Sequence, residues 1–359
     1  MTREVLDTPS VSMVKPMDEV EILQQVQQEL EGYRDLGLLR EPEWAQTSKW
    51  NALVKEQPER FIRADGTIDA ERLRNFRRLA IFVADFPGFD PNRWFLRNLT
   101  GGRRGMIRLL NDTLEIVKAQ GYADLLIKYP CSPVGHPYVY RRGPYRFNYR
   151  WCRHIYQLGL LNRVLGDQLR GGLTTAMDIG SSYGIFSSLL AREYLGTHHV
   201  LVDFPEQLLL ARYFLSSTFP AATFAGIREL GALPTIPRAV VESHDFVLVP
   251  VSYYERLEGG SIDLVTNFAS LGEMTRQWFD YYMRGTPFVT AKWFFTANRI
   301  QSRPTYDTDL TVVDYPIWDP EKRRHFAICP IFSHDYLRRY LFWMERHPIP
   351  PYFEYLGDS

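Results

Sequence analysis

The chain has 359 residues, of which 45% are hydrophobic and 23% charged, a composition usual for globular domains. Its 42 basic and 42 acidic residues balance. A nucleic-acid binder needs a basic excess, and attraction to an anionic membrane needs a basic cluster, so we expect neither partner. No stretch reaches the roughly 18 apolar residues of a membrane span.

The three cysteines, Cys131, Cys152 and Cys329, are widely spaced and form no Cys-x-x-Cys pair. This spacing predicts reduced thiols and no zinc site. The first residues, Met1 to Glu4, do not lead into the apolar segment of a signal peptide. We therefore expect a cytoplasmic protein.

The N-terminal third is predicted to be mostly helical. Residues 1–17 are polar and predict a flexible tail. Apolar residues then recur every three or four positions, which predicts helices over about 18–37, 68–84 and 106–121.

Residues 129–150 form a different kind of segment. Their prolines and glycines exclude a regular helix, so we expect an irregular connector, followed by a helix over 151–170. The connector also interleaves arginines with tyrosines.

Strands and helices alternate from Thr174 onward. Short apolar runs predict strands at 175–179, 199–203, 246–249, 262–266 and 287–291. Helical patterns lie at 183–195, 207–214 and 278–283. Such alternation predicts an α/β fold with a parallel sheet and helices on both faces. The last 60 residues contain β-like runs at 310–313 and 325–328.

A glycine-containing loop directly follows the first of these strands, with the sequence Asp178-Ile179-Gly180-Ser181-Ser182-Tyr183-Gly184. Its glycines let the backbone approach a ligand closely, and the helix behind it offers free N–H groups. The dinucleotide fingerprint Gly-x-Gly-x-x-Gly fits poorly, because Ser182 and Ile185 stand where it needs glycine. The acid two residues before the first glycine indicates another ligand. The alternative is a tight strand-to-helix turn without a ligand.

Asp203 ends the next predicted strand. A carboxylate can accept hydrogen bonds from both hydroxyls of a ribose. Because NAD enzymes also have an acid here, Asp203 indicates a nucleoside-type ligand rather than one particular cofactor.

A third polar segment, residues 267–274, follows a later strand and contains Asn267, Ser270 and Glu273. Ligands of open α/β sheets bind beyond the carboxyl ends of the strands, so these side chains are predicted to lie near the site. The alternative for Glu273 is a structural acid that interacts with a helix dipole.

Together, three segments resemble the bacterial sugar O-methyltransferase family, which belongs to the class I methyltransferases that use S-adenosylmethionine (SAM). They are Asp178-Ile179-Gly180-x-x-Tyr183-Gly184, Val202-Asp203-Phe204-Pro205-Glu206 and Asn267-Phe268-Ala269-Ser270-Leu271-Gly272-Glu273-Met274. The resemblance covers about residues 130–300. Ser181 and Ser182 depart from it, because many methyltransferases have glycine there.

The resemblance implies a Rossmann-like SAM-binding domain over 151–359, preceded by a helical cap and acceptor-binding region over 18–150. It implies SAM as cofactor and an enzyme that methylates a sugar or glycosylated small metabolite. The cofactor-binding residues expected from it are Asp178, Gly180, Ser181, Tyr183, Gly184, Asp203, Phe204, Val251, Ser252, Asn267 and Phe268.

Methyl transfer to a hydroxyl requires a general base or a metal, because a protonated hydroxyl is a weak nucleophile. Glu273 is the first candidate base and His154, on the helix before the glycine loop, is the second. Asp307, Asp309 and Asp314 lie in a later loop without the paired acids of a magnesium site. We therefore expect metal independence.

The arginine–tyrosine connector allows two interpretations. In the first, Arg141, Arg142, Arg146 and Arg150 bind a phosphate or carboxylate of the acceptor while Tyr145 or Tyr149 stacks on its ring. Ser270 is a further predicted acceptor-binding residue. Alternatively, the arginines form a solvated basic rim.

Other functions stay open. One alternative is a methyltransferase that methylates a natural product on nitrogen or on a non-sugar hydroxyl. Another is a non-catalytic SAM-binding subunit. A nicotinamide dehydrogenase is disfavoured by the broken fingerprint. The expected partner is a small molecule, and a homo-oligomer is compatible with the sequence.

Overall fold

The computed structural model describes residues 18–39, 61–79, 102–303, 306–332, 336–339, 344–347 and 351–359. The predicted tail at 1–17 and residues 80–84 of the second predicted helix lie outside these ranges. Elements are numbered in chain order within the described part.

The N-terminal helices are α1 (Glu19–Asp35), α2 (Ala70–Arg74), α3 (Phe76–Leu79), α4 (Gly102–Ala119) and α5 (Ala123–Lys128). A long helix, α6 (Tyr149–Gly172), leads into the sheet region. The remaining helices are α7 (Ile185–Glu193), α8 (Pro205–Thr218), α9 (Ile227–Leu230), α10 (Arg238–Glu242), α11 (Arg276–Arg284) and α12 (Thr286–Val289). Short 3₁₀ turns occupy Val251–Arg256, Leu271–Glu273 and Val312–Asp314.

The strands lie mainly in the second half of the chain. They are β1 (Tyr140–Arg142), β2 (Tyr145–Phe147), β3 (Thr175–Ile179), β4 (His198–Asp203), β5 (Phe224–Ala225), β6 (Phe246–Pro250), β7 (Leu264–Phe268), β8 (Trp293–Arg299), β9 (Arg323–Ile328), β10 (Tyr336–Arg339), β11 (Met344–His347) and β12 (Tyr352–Asp358).

The main sheet has the order β5-β6-β4-β3-β7-β8-β12-β9. All neighbouring strands are parallel except that β12 runs antiparallel to both β8 and β9. The central strands β3 and β6 are buried along their whole length and β4 is buried after His198, which explains their largely apolar sequences. The predicted Rossmann-like α/β fold is confirmed.

Helix α1 packs against α8 and α9 of the sheet region. Asp18 caps α1, as its sequence position predicts, and Val26, Leu30 and Tyr33 are fully buried. The Glu29 carboxylate accepts a 2.7 Å hydrogen bond from the Ile227 N–H at the start of α9. The predicted boundary at residue 150 between the two regions stays a prediction.

Two predicted strands are wrong. Residues 287–291 contain the short helix α12, because Pro287 fits the first helical turn, where its missing N–H is not needed. The strand begins later, at Trp293. Residues 310–313 lead into a 3₁₀ turn, in which Thr311 and Asp314 form a reciprocal capping box.

The connector also contains a hairpin that the sequence interpretation missed. Strands β1 and β2 pair antiparallel around Gly143, whose φ of +57° suits the turn. Alternating residues on either side of a Gly-Pro pair were the available signal.

Candidate functional site

The site lies at the carboxyl edge of the sheet, where four neighbouring strands end. Strand β3 lies between β4 and β7, and β4 pairs with β6 on its other side. This order brings together the predicted segments after each strand, beginning at Gly180, Phe204, Val251 and Ala269. Segments that are distant in sequence therefore meet at one edge, as in other open α/β sheets.

The glycine turn needs glycine at its first position. Gly180 has a φ of +70°, and a Cβ there would overlap the Ser270 side chain. Gly184, with a φ of +82°, precedes the first turn of α7. Between them, the buried Ser181 Oγ has no hydrogen-bond partner among the described residues. The turn thus places an unused polar atom at the strand tips.

Gly180→Ala is expected to lower the free energy of unfolding by roughly 2–4 kcal/mol, through left-handed backbone strain and overpacking against Ser270. Gly196→Ala is the matched control, because Gly196 has a φ of +78° but nothing within 4 Å of a Cβ. Its loss should stay at about 1–2 kcal/mol. Denaturant unfolding of both variants measures the difference, and equal losses would contradict the proposed close approach.

Asp203 is bound to the glycine loop through its carboxylate. Its Oδ2 accepts a hydrogen bond from the Ser182 N–H at 2.6 Å, and its Oδ1 accepts one from the Phe204 N–H at 2.7 Å. Burial raises the pKa of Asp203 to about 6, although these N–H donors and Arg150 lower it. The carboxylate keeps lone pairs for further donors.

Asp178 lies inside the sheet, on the strand before the turn. Its Oδ1 accepts a 2.8 Å hydrogen bond from the Thr266 hydroxyl. Burial raises the pKa of Asp178 to about 7, the Thr266 hydrogen bond opposes this, and the nearby Asp203 adds to it. Two acids with raised pKa values therefore stand close together beneath the site.

Asn267 and Ser270 hold the ends of neighbouring strands together. The Asn267 amide donates to the Ile179 carbonyl at 2.7 Å and also to the Ser270 hydroxyl. The Asn267 Oδ1 accepts from the Leu271 N–H and the Asn298 amide. These bonds engage both ends of the Asn267 amide, so Asn267 joins the ends of β3, β7 and β8.

Glu273 is engaged in a buried ion pair. Its Oε1 accepts hydrogen bonds from Arg299 Nη1 and from the Tyr306 hydroxyl, both at 2.7 Å. Burial lowers the pKa of Arg299, but Glu273, Tyr352 and Tyr306 together raise it above its usual value. Glu273 therefore has a clear structural role at the end of β8.

The His154 side chain extends from α6 towards the tip of β7. Its ring lies 6.1 Å from Phe268, at the tip of β7, and 6.0 Å from Phe186 in the first turn of α7. Its Nδ1 is buried without a hydrogen-bond partner among the described residues. Burial, and then Arg150 and Arg153, lower the pKa of His154 well below its usual value, so the ring is neutral.

The other predicted residues divide between the site and its surroundings. Arg150 places its guanidinium 5.5 Å from the Tyr183 ring centre, at the glycine loop. Tyr183 itself is fully buried against Phe76 and Phe214, so it supports the loop from behind. Arg146 is exposed on β2.

Three further predicted residues have distinct positions. Burial raises the pKa of Tyr149 to about 12, so its hydroxyl stays protonated. Val251 and Ser252 open the 3₁₀ turn after β6, and the Val251 carbonyl accepts a hydrogen bond from the Tyr281 hydroxyl.

Sequence interpretation missed Arg153, Gln157 and Arg299. Arg153 and Gln157 follow Arg150 at helical spacing on α6, and that spacing was a usable signal. Arg299 offered none, because its partner Glu273 is 26 residues away. The three cysteines are buried, and none of them forms a disulfide.

No group of three or more His, Cys, Asp or Glu side chains in the described ranges is arranged to hold a metal ion. Asp309 and Asp314, which the sequence left as possible ligands, both pair with Arg276. Metal independence stays a prediction. Over the same ranges, no helix combines the length and apolar character needed to cross a bilayer.

Comparison with known proteins gives similarity of fold. No family model and no curated protein matches the chain. A candidate RNA methyltransferase from Pyrococcus horikoshii has 14% identity and a TM-score of 0.33, over 57% of this chain and 82% of that one. An O-methyltransferase family protein from Burkholderia thailandensis has 11% identity and a TM-score of 0.30, over 58% of this chain and 59% of that one. The bifunctional kinase–methyltransferase WbdD has 17% identity and a TM-score of 0.30, over 58% of this chain and 38% of that one. These similarities concern the general fold and carry no information on the acceptor.

Proposed function

We propose that this chain is a SAM-dependent methyltransferase that methylates a hydroxyl of a sugar or a glycosylated small metabolite. One observation carries the proposal: the Ser182 N–H of the glycine turn binds the Asp203 carboxylate at 2.6 Å. This bond joins a turn suited to an amino acid moiety to an acid suited to a ribose. The three sequence segments that resemble the sugar O-methyltransferase family supply the reaction and acceptor class.

The residues at the strand tips fit SAM. Gly180 gives the turn a left-handed backbone packed against Ser270, and Ser181 Oγ is a buried polar atom without a partner among the described residues. Asp203 would accept the ribose hydroxyls, while Phe204, Val251, Ser252 and the backbone at Phe268 would line the cofactor. SAM, when bound, supplies a methyl group already activated on a sulfonium sulfur.

The chain itself must orient the acceptor and remove a proton from its hydroxyl. His154 becomes the first candidate base, because it lies beside Phe268 and its Nδ1 is buried without a hydrogen-bond partner among the described residues. Glu273, the first candidate from the sequence, becomes the second, since Arg299 and Tyr306 already occupy its Oε1. Arg146, Tyr149, Arg150 and Ser270 stay the proposed acceptor-binding residues.

A natural-product acceptor methylated on nitrogen is the alternative function. A neutral amine needs less help from a base, so a His154→Gln variant would keep most of its turnover with such an acceptor. A cytoplasmic, bacterial enzyme with a small-molecule partner, as a monomer or homo-oligomer, belongs to the same proposal.

Isothermal calorimetry tests the proposal with SAM, S-adenosylhomocysteine and NAD titrated in parallel. We expect both sulfur nucleosides to bind and NAD to give no heat. Binding of NAD alone would overturn the proposal. A screen of glycosides, with and without a chelator, then tests the acceptor class and metal independence.

Cofactor binding is expected to release protons near pH 6. In the free protein, the pKa values of Asp203 and Asp178 are raised to about 6 and about 7, mainly by burial. Ribose hydroxyls donate to the ionised carboxylate and so lower the pKa of Asp203, and affinity should rise between about pH 5 and 7. Titrations at pH 6 in buffers of different ionisation enthalpy count the protons. At pH 8, where both acids are ionised, the release should disappear, and proton uptake at pH 6 would contradict the assignment.

A further inference from the structure

One face of α6 presents a row of polar side chains to the proposed site. Arg150 lies over the glycine loop at Tyr183, and His154, one turn later, lies beside Phe268 at the tip of β7. The Arg153 guanidinium lies 3.8 Å from the ring centre of Phe332, in the C-terminal part of the chain. The helix therefore crosses the carboxyl edge of the sheet with two arginines inward.

Many polar atoms of this face lack partners. Arg150 Nη1, Arg153 Nε and His154 Nδ1 are buried, and none has a hydrogen-bond partner in the described part of the chain. Gln157 is only 1% exposed, and its amide interacts with the His154 side chain one turn earlier. Buried polar atoms are normally satisfied, so a group of them on one helix face indicates a ligand.

The nearby carboxylates are engaged elsewhere. Glu273 pairs with Arg299, and both oxygens of Asp203 accept backbone N–H groups. Burial and the neighbouring Arg150 lower the pKa of Arg153, whereas Tyr149, Tyr352 and Cys329 raise it. Asp203 is a counter-charge for Arg150, because Arg150 lowers its pKa. Arg153 pairs with no carboxylate among the described residues, and such a buried guanidinium is unfavourable unless an anion binds to it.

We propose that Arg150 and Arg153 bind an anionic group, a carboxylate or phosphate, of a molecule that enters the site. The inference rests on the proposed function and names the chemistry of its ligand. The anion has two possible sources, the methionine carboxylate of SAM or an acidic group on the acceptor. Arg150 lies at the glycine loop and fits the first source, whereas Arg153 lies towards Phe332 and fits the second.

The first experiment compares SAM with 5′-methylthioadenosine, which lacks the amino acid carboxylate. If Arg150 binds that carboxylate, Arg150→Gln should weaken SAM binding about 10- to 100-fold and leave methylthioadenosine within about twofold. Arg150→Lys, which keeps the charge, should recover part of the loss. The matched control is Arg170→Gln, because Arg170 lies on the same helix but is exposed and pairs with Asp167.

The second experiment titrates inorganic phosphate into the full chain saturated with S-adenosylhomocysteine. Phosphate should bind the wild type and the Arg170→Gln control, and binding should be lost in Arg153→Gln. This result would assign the anion to the acceptor. Loss of SAM but not methylthioadenosine binding in both arginine variants would assign it to the cofactor.

Thermal unfolding of the free protein distinguishes a specific loss of binding from misfolding of a variant. Arg153→Met replaces a buried charged side chain by an apolar one of similar length, so it should raise the midpoint of thermal unfolding of the free protein. A lower midpoint in Arg153→Met, together with unchanged SAM and phosphate binding in both Gln variants, would overturn the inference. If the wild type binds neither sulfur nucleoside, the proposed function fails, while phosphate titration of the free chain still tests the arginines.

Discussion

Replacing Asp203 by alanine is expected to weaken SAM binding by at least about 100-fold. A hydrogen bond to a charged group contributes about 1.5–3 kcal/mol, and two ribose hydroxyls would use two of them. The sum corresponds to a factor of about 10² to 10⁴ in the dissociation constant. The side chain also accepts the Ser182 N–H of the glycine turn, so its removal loosens both halves of the site.

Asp245→Ala is the matched control for this variant. Asp245 also accepts a backbone N–H and a hydroxyl, both from Thr223, but it precedes β6 and so lies at the opposite edge of the sheet. Its replacement should leave the affinity for SAM within about twofold. Calorimetry on both variants gives the comparison, with circular dichroism to establish folding. A folded Asp203→Ala protein that binds SAM as the wild type does would remove the basis of the proposed function.

Much of the sheet could be predicted because its strands carry local signals. The run at 175–179 matches β3 at both ends, since a fully buried parallel strand is largely apolar. The segment at 287–291 misled because its apolar residues suit a strand and a short helix equally, and Pro287 decided in favour of the helix. Local patterns therefore predicted an element correctly where the apolar pattern was compatible with only one type of secondary structure.

The site could be predicted only where its residues follow strand ends. Asp203 and the glycine turn belong to that class, because every parallel strand brings its carboxyl end to the same edge. Arg299 also ends a parallel strand, but the predicted strand ended at residue 291 instead of 299, so Arg299 was not expected at this edge. Tyr306 lies in the loop beyond it. Which residues share a helix face can be read from spacing, but which face meets the site depends on packing.

Glu273→Gln is expected to lower the free energy of unfolding by about 3–5 kcal/mol, because it leaves a buried guanidinium without a charged partner. Arg299 is only 8% exposed and Glu273 9%. The double variant Glu273→Leu/Arg299→Met removes both charges, so most of the lost stability should return. Denaturant unfolding of the two single variants and the double variant measures this coupling. If the loss of stability in the double variant equals the sum of the two single losses, Glu273 and Arg299 are not energetically coupled.

The same variants separate structural support from proton transfer. With an acceptor from the glycoside screen, we expect turnover to return in the double variant together with stability. His154→Gln should instead keep its stability and lose about 10²- to 10⁴-fold in kcat, because the general base is absent. A double variant that is folded, binds SAM and does not turn over would assign the base to Glu273. In that case Arg299 would hold a catalytic carboxylate in position, and the raised pKa of Arg299 would reflect that interaction.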